Sequence, residues 1–470
     1  MLDASDDSRA STVSTNDPRF STYVKAPKPQ SGANFGNTLT MSGATLAVTA
    51  PFEDEVGDDG GTAKEAGATY LFDLNDATAP PTRLVVPHAE ENGGWVPGSD
   101  IPQGFVTLTN YGALHVALDD AIVVIGAMSD DSGVVGDPTD LGAPDSGAVV
   151  VYDRALGSWS QYIKEPAIAA GNLFGTSVAL SSKWLVVGAP SQDGGAKDSG
   201  AVYVYERNGS RFSDAPAVLK PSIVHDGDAF GGMLALDGDL LAVSALGEGG
   251  GSVGIDGDPN DTSERGDGAV YIYRVSTDGR WVQEAYVKPS VATAFSYFGS
   301  SLSANNGRFA VGALGAQSCG NGAKAETFRG AAYVVSQIDG KWGIEQCVSA
   351  AHDNSLLGIA IGLYGDRLVA GVPWERGDRA DDRPDAARAF AGSASLYESD
   401  SSGLFHELPH LQAPGTEANQ VFGVSVAIGA DFVAVGAPWE AGGQSGPGAN
   451  PLDMSAPKAG AVYLFSPTQP

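Results

Sequence analysis

Positive charge is scarce in this sequence: 27 lysines and arginines stand against 57 aspartates and glutamates, a formal net charge of -30. A surface of that sign repels phosphate backbones and anionic bilayers, which excludes nucleic acid as a natural partner. Cysteine is nearly absent. Cys319 and Cys347 alone are present, compatible with one disulfide outside the cell or two reduced thiols inside. No run approaches the roughly 18 apolar residues of a membrane-spanning helix, so membrane insertion is not expected. The start, Met1-Leu2-Asp3-Ala4-Ser5-Asp6-Asp7, lacks a basic then apolar leader, as a processed secreted chain or a cytoplasmic one would. His88, His115, His225, His352, His406 and His410 show no His-x-x-x-His spacing, so zinc is unsupported. Nucleophile elbow, phosphate loop and dinucleotide fingerprint are missing as well.

What is abundant is glycine, 63 residues with 27 prolines, which favours many short strands joined by tight turns. An aromatic or leucine followed by glycine recurs at Phe35, Tyr111, Phe174, Phe230, Phe298, Leu357 and Phe422. After each comes an alternating apolar run, a short turn and a second run such as Leu185-Val186-Val187-Gly188-Ala189-Pro190, which reads as strands A and B of a hairpin. A loop of variable length leads to strand C, for example Gly200-Ala201-Val202-Tyr203, and strand D opens at Trp159, Phe212, Trp281, Trp342 or Phe405. Seven such units predict an all-β protein, a β-propeller of seven four-stranded antiparallel blades.

The termini carry the best single argument. The seventh unit stops at Tyr463-Leu464-Phe465 without a strand D, and Phe20 to Pro27 resembles strand D of the fourth unit, Trp281 to Pro289. The early segment is therefore expected to complete blade seven and close the ring, removing exposed edges. Residues 20–466 form one propeller on this reading, between polar tails 1–19 and 467–470.

The order Phe-Gly, Gly-Ala-Pro, Gly-Ala-Val-Tyr is complete in Phe174 to Tyr203 and nearly so in Phe422 to Tyr463. On these residues the chain resembles the FG-GAP repeat proteins, which include the integrin α-chain head and many bacterial surface and secreted proteins. The resemblance implies an extracellular or cell-surface binding and adhesion module, and a monomer is expected. It departs from integrin blades at one point. Their Asp-x-Asp-x-Asp-Gly calcium loop lies between strands A and B, where this chain has short turns such as Ser42-Gly43 and Asp237-Gly238-Asp239.

The acidic residues lie instead in the B–C loops, which share a rim with the D–A crossovers. Four loops keep one register: Asp137 and Asp140 before Gly147, Asp258 and Asp261 before Gly268, Asp382 and Asp385 before Gly392, Asn450 and Asp453 before Gly460. Asx-Pro turns explain this register locally. Pockets for Ca²⁺, which takes 6–8 oxygen ligands, are the sharper expectation. Blade four is the best candidate, with Asp256, Asp258, Asn260, Asp261 and Asp267 in one loop. Two Arg-Gly-Asp tripeptides, at Arg265 and Arg376, read as turn chemistry. Cys319 and Cys347 both approach this rim, so a disulfide is expected, with two buried thiols as the alternative. His115 aligns with Val178 on strand A and reads as a packing residue.

Three functions fit. A non-enzymatic domain would recognise a protein or glycan through rim aromatics Trp95, Trp374 and Trp439. A polysaccharide lyase or hydrolase would need acid–base groups that the sequence does not cluster. A structural module of a larger surface protein is the third.

Overall fold

Strand B of each repeat is a continuous apolar run rather than an alternating one, so both its faces must be covered. The computed structural model describes residues 19–56, 62–63, 66–76, 78–86, 114–319, 328–375, 390–414, 420–445 and 453–467. It shows why those runs are apolar throughout. Strand B lies inside its own sheet and is sandwiched between neighbouring sheets, and Leu185, Val186 and Val187 are all inaccessible. Leu185 and Val187 pack on Val149 and Val151 of the preceding blade, while Val186 faces Leu241 and Val243 of the following one.

Among the described residues seven antiparallel sheets run in A-B-C-D order, beside a two-stranded ribbon of Glu55–Val56 and Thr62–Ala63, so the predicted all-β seven-bladed propeller is observed. Blade three is typical: strand A Ser177–Leu180, strand B Trp184–Ala189, strand C Ala201–Asn208, with the outer position shared by Arg211–Phe212 and Ala217–Leu219. Blade four runs Phe230–Asp237, Leu240–Ala245, Ala269–Val275 and Trp281–Val287.

The repeated Phe-Gly has two jobs. Phe174, Phe230, Phe298 and Phe422 are inaccessible, and each meets the strand C tyrosine of its own blade edge-on, with ring centroids 5.1–5.5 Å apart. The glycine brings the crossover against the previous blade. A Cβ on strand B Gly188 would lie 2.0 Å from the Gly231 carbonyl oxygen, so only glycine permits that approach. Ser177, Ser301 and Ser425 staple the same junction, each donating from Oγ to the carbonyl of the next blade's opening glycine, Gly231, Gly358 or Gly36, at 2.6–2.7 Å.

Ring closure follows the expected route. Phe20–Val24 pairs antiparallel with Ala461–Phe465, Tyr23 opposite Tyr463 and Val24 opposite Val462. This matches Tyr286 opposite Tyr271 in blade four. Phe35 of blade one bridges Gly460 of blade seven, and Ser425 reaches Gly36 across the same seam. The two tails lie almost wholly outside the described residues.

Candidate functional site

Strand C glycines sit against the first residue of the next blade, as in Gly200 with Phe230, Gly330 with Leu357 and Gly392 with Phe422. B–C loops and D–A crossovers therefore emerge on one rim, as the sequence implied. The A–B turns at the other ends of these strands are tight. Ser42 pairs directly with Thr45 and Asp237 with Leu240, leaving no room for a cation loop.

Beneath the rim, a repeated lock ties each B–C loop to strand D. The residue three places after the last strand B residue is Glu53, Asp130, Glu248, Glu375 or Glu440 in five blades. In blade four Glu248 accepts from Tyr286 Oη at 2.9 Å and Lys288 Nζ at 2.5 Å. Blade seven repeats this with Glu440, Tyr23 and Lys25, and blade two with Asp130, Tyr162 and Lys164. Glu53 holds Tyr70 and Arg83 instead. Burial pulls the Lys25 and Lys164 amines below the usual lysine range, against the raising effect of their carboxylates.

Blade six needs care because His410 lies between Glu407, 2.8 Å from Nε2, and Ser393, 3.4 Å from Nδ1. Such an order suggests a hydrolytic triad. Yet Ser393 is inaccessible, its hydroxyl donates to Glu375, and His410 occupies the strand D place that Tyr286 fills in blade four. This is the lock again, in a variant form. In blade five the acidic place is Ala316, and Cys347, opposite Tyr333, takes the tyrosine place. There Cys319 and Cys347 form the expected disulfide, Cα atoms 5.5 Å apart, which substitutes for the lock.

The candidate calcium residues are not gathered as the sequence suggested. Asp258 accepts from Asn260 N–H at 2.9 Å, Asp261 from Ser263 N–H at 2.9 Å, Asp137 from Thr139 N–H at 3.0 Å and Asp140 from Gly133 N–H at 2.7 Å. Asp453 accepts from Gly443 and Ser455, and the bonds from Ser455 hold its carboxyl below the usual range. The bonds from residues two places on are local Asx-turn bonds, while those from Gly133 and Gly443 tie one side of the loop to the other. Asp256 accepts from Tyr286 N–H at 3.0 Å. Asp267 corrects the expectation of one common loop pocket: it is fully buried and turned inward, with Oδ2 3.3 Å from Lys288 Nζ. Its burial also withdraws the first Arg-Gly-Asp from any external partner. Among the described residues no group of three or more histidine, cysteine or acidic side chains converges as a metal site. Asp382, Asp385, Asn450, Trp95 and the second Arg-Gly-Asp lie outside the described residues.

Of the aromatics, Trp374 is 39% exposed and meets Phe390 edge-on at 5.8 Å, and Trp439 is half-buried with Lys458 Nζ 4.6 Å above its ring. Sequence reasoning missed Phe295. In the five blades where it is described, the residue three places before the first aromatic or leucine is left-handed: Gly32, Gly171, Gly227, Asn354 and, in blade five, Phe295 at φ 62°. A bulky side chain there costs about 1–2 kcal/mol. Phe295 is nonetheless 43% exposed on the rim, tilted against Tyr297 at 6.2 Å. Exposed Arg265 lies alongside, its carbonyl accepting the Phe295 N–H at 3.0 Å. In sequence, glycine or asparagine occupies this place in five other blades and Leu108 in blade two, so aligning the crossovers marks Phe295 as the aromatic among them.

At the axis, strands A of all seven blades line a channel of about 750 Å³ in which His115, Tyr364 and Asp431 are the ionisable side chains. His115 pairs with Gly126 as Ser177 pairs with Gly188, so its counterpart is the stapling serine and not Val178, because blade two carries one extra residue before the strand. Burial pushes the imidazole down to about 4.

No curated protein matches the chain in sequence. Among solved structures it is similar to Kuenenia stuttgartiensis hydrazine synthase, at 12% identity and TM-score 0.45 over 88% of this chain and 94% of that one. Residues 167–205 and 405–465 match the FG-GAP repeat family profile. These segments cover the crossover into blade three with its strands A to C, and the last outer strand with blade seven. With the seven sheets in a closed ring, the chain is a seven-bladed β-propeller, two segments of which match the FG-GAP repeat.

Proposed function

We propose that this propeller is a non-enzymatic recognition module that binds a protein or glycan through its B–C and D–A rim. A propeller of FG-GAP repeats is consistent with a binding or adhesion module, and its disulfide is compatible with an extracellular setting. The observation that carries the reading is Phe295. Backbone strain retained by an exposed aromatic, where four other described blades carry glycine or asparagine, favours a contact role over a folding one. Phe328 at 43% exposure and Trp374 at 39% belong to the same rim. The lyase or hydrolase alternative lacks a comparable support, since in the Ser393-His410-Glu407 arrangement of the described residues the serine is inaccessible and its hydroxyl donates to Glu375.

A glycan array, paired with immobilised matrix proteins, tests this. Wild type should retain a defined ligand set that F295G and W374A lose by tenfold or more. F295G should keep the wild-type thermal midpoint, because it removes strain along with the ring. No retained ligand, or retention indifferent to both substitutions, overturns the proposal. Calcium belongs to the same reading as an untried requirement. Running the array with calcium and with EDTA, on wild type and D258N/D261N, asks whether the rim carboxylates contribute oxygens to a bound ion.

A further inference from the structure

Blade four departs from its siblings in one buried residue. The place before the strand C glycine is Ala66, Ser146, Ser199, Arg329, Ala391 or Ala459 in six blades and Asp267 in the fourth. The lock beneath it therefore holds one lysine and two carboxylates. Lys288 and Asp267 are 0% exposed and Glu248 is 1% exposed. Lys288 Nζ donates to Glu248 Oε2 at 2.5 Å and to the Gly268 carbonyl at 2.7 Å. Asp267 is fixed through Oδ1, which accepts from Ser296 Oγ at 2.6 Å and Thr293 N–H at 3.1 Å. Its Oδ2 accepts no hydrogen bond and lies 3.3 Å from the same Nζ. Tyr286, itself buried, donates to Glu248 from the same side, and the neighbouring Tyr271 and Phe298 are buried as well.

We propose that Lys288 and Asp267 condense into an intramolecular isopeptide bond, with Glu248 as the proton carrier. Glu248 takes one proton from Nζ, and the freed lone pair adds to Asp267 Cγ. A C–N bond forms and one carboxyl C–O bond breaks. The leaving oxygen departs as water with two of the three ammonium protons, the first returned by Glu248. Charges balance, and no oxidant or co-reactant is consumed. Burial favours the product: an ammonium facing two carboxylates in a dry site leaves one of them without its own partner, and the amide removes two of the three charges. Lys25 with Glu440 and Lys164 with Asp130 have no carboxylate in the Asp267 place, as Ala459 and Ser146 stand there, so they remain ion pairs. The bond would join the start of strand C to the end of strand D and make that hairpin a covalent ring.

Intact mass spectrometry of the denatured wild-type chain, with the disulfide reduced, is the test. The expected mass is the sequence mass less one water, and a proteolytic digest should contain a branched peptide joining Lys288 to Asp267. K288R, D267A and E248Q should each return to the full sequence mass. A wild-type chain at full mass overturns the proposal without reference to any variant. So does a missing water located within the linear Asp267-Gly268 peptide, which marks succinimide formation and would persist in K288R. Loss of two or more waters would contradict the restriction to blade four.

Discussion

His115 shows how one residue's environment becomes a property of the whole protein. Its imidazole lies half-buried among strand A side chains of the axial channel and is held near 4, whereas an unfolded chain takes up that proton near 6.5. The unfolded state therefore binds the proton first as pH falls. Stability is complete above about 6.5 and declines between there and about 4, by roughly 3 kcal/mol for a shift of this size. H115S, which installs the stapling serine of blades three, five and seven, should flatten that part of the curve. Urea midpoints measured at intervals from pH 7 to pH 4 give the answer, and parallel curves for the two proteins would refute it. At this scale the sequence was hardest to read. The one-residue insertion before Val116 shifted the alignment by a single position, which exchanges a packing place for a stapling one. Asp267 was misjudged for a related reason: spacing along a loop does not tell which carboxylate turns inward to a lysine 21 positions later.

Among the elements, the N-terminal strand is the most informative. It was legible because Tyr23, Val24 and Lys25 repeat the pattern of Tyr286, Val287 and Lys288, and the structure gives both triplets the same register and the same glutamate. The blade starts were legible because Phe-Gly is imposed by two contacts at once, the ring on its own blade and the carbonyl on the previous one. Strand D of blades one and three was less so. In blade one it is only Thr82–Leu84, and in blade three it is broken after Phe212, so few apolar positions mark either. The strand at the chain start is held by more than its ladder. Lys25 and Glu440 are both inaccessible, and losing one partner of such a pair costs about 3–5 kcal/mol, whereas replacing both by apolar residues is often neutral. K25M should accordingly lower the urea midpoint sharply, and K25M/E440L should recover most of the loss. Size-exclusion chromatography with light scattering should also show K25M forming oligomers, because a frayed first strand bares the edge of Ala461–Phe465.

For the whole molecule, the question is whether the ring opens as one unit or blade by blade. Stacked repeats ordinarily add stability through nearest-neighbour interfaces, and closure gives every blade two neighbours. Blade five is the place to ask. Its buried ion pair has been replaced by the Cys319–Cys347 bond, so a reductant acts on one lock and leaves the others intact. A bridge spanning 28 residues contributes on the order of 3 kcal/mol by restricting the unfolded chain. If each lock serves its own blade, reduction should speed amide hydrogen exchange first in Lys341–Ser349 and in the strand it pairs, Ala331–Ile338. Trp281–Val287 and Ser158–Ile163, secured by their own lysines, should stay protected. Uniform loss of protection in all seven outer strands would instead mean that the ring is a single cooperative unit. Closure at Tyr23 and Tyr463 would then govern its stability more than any individual lock.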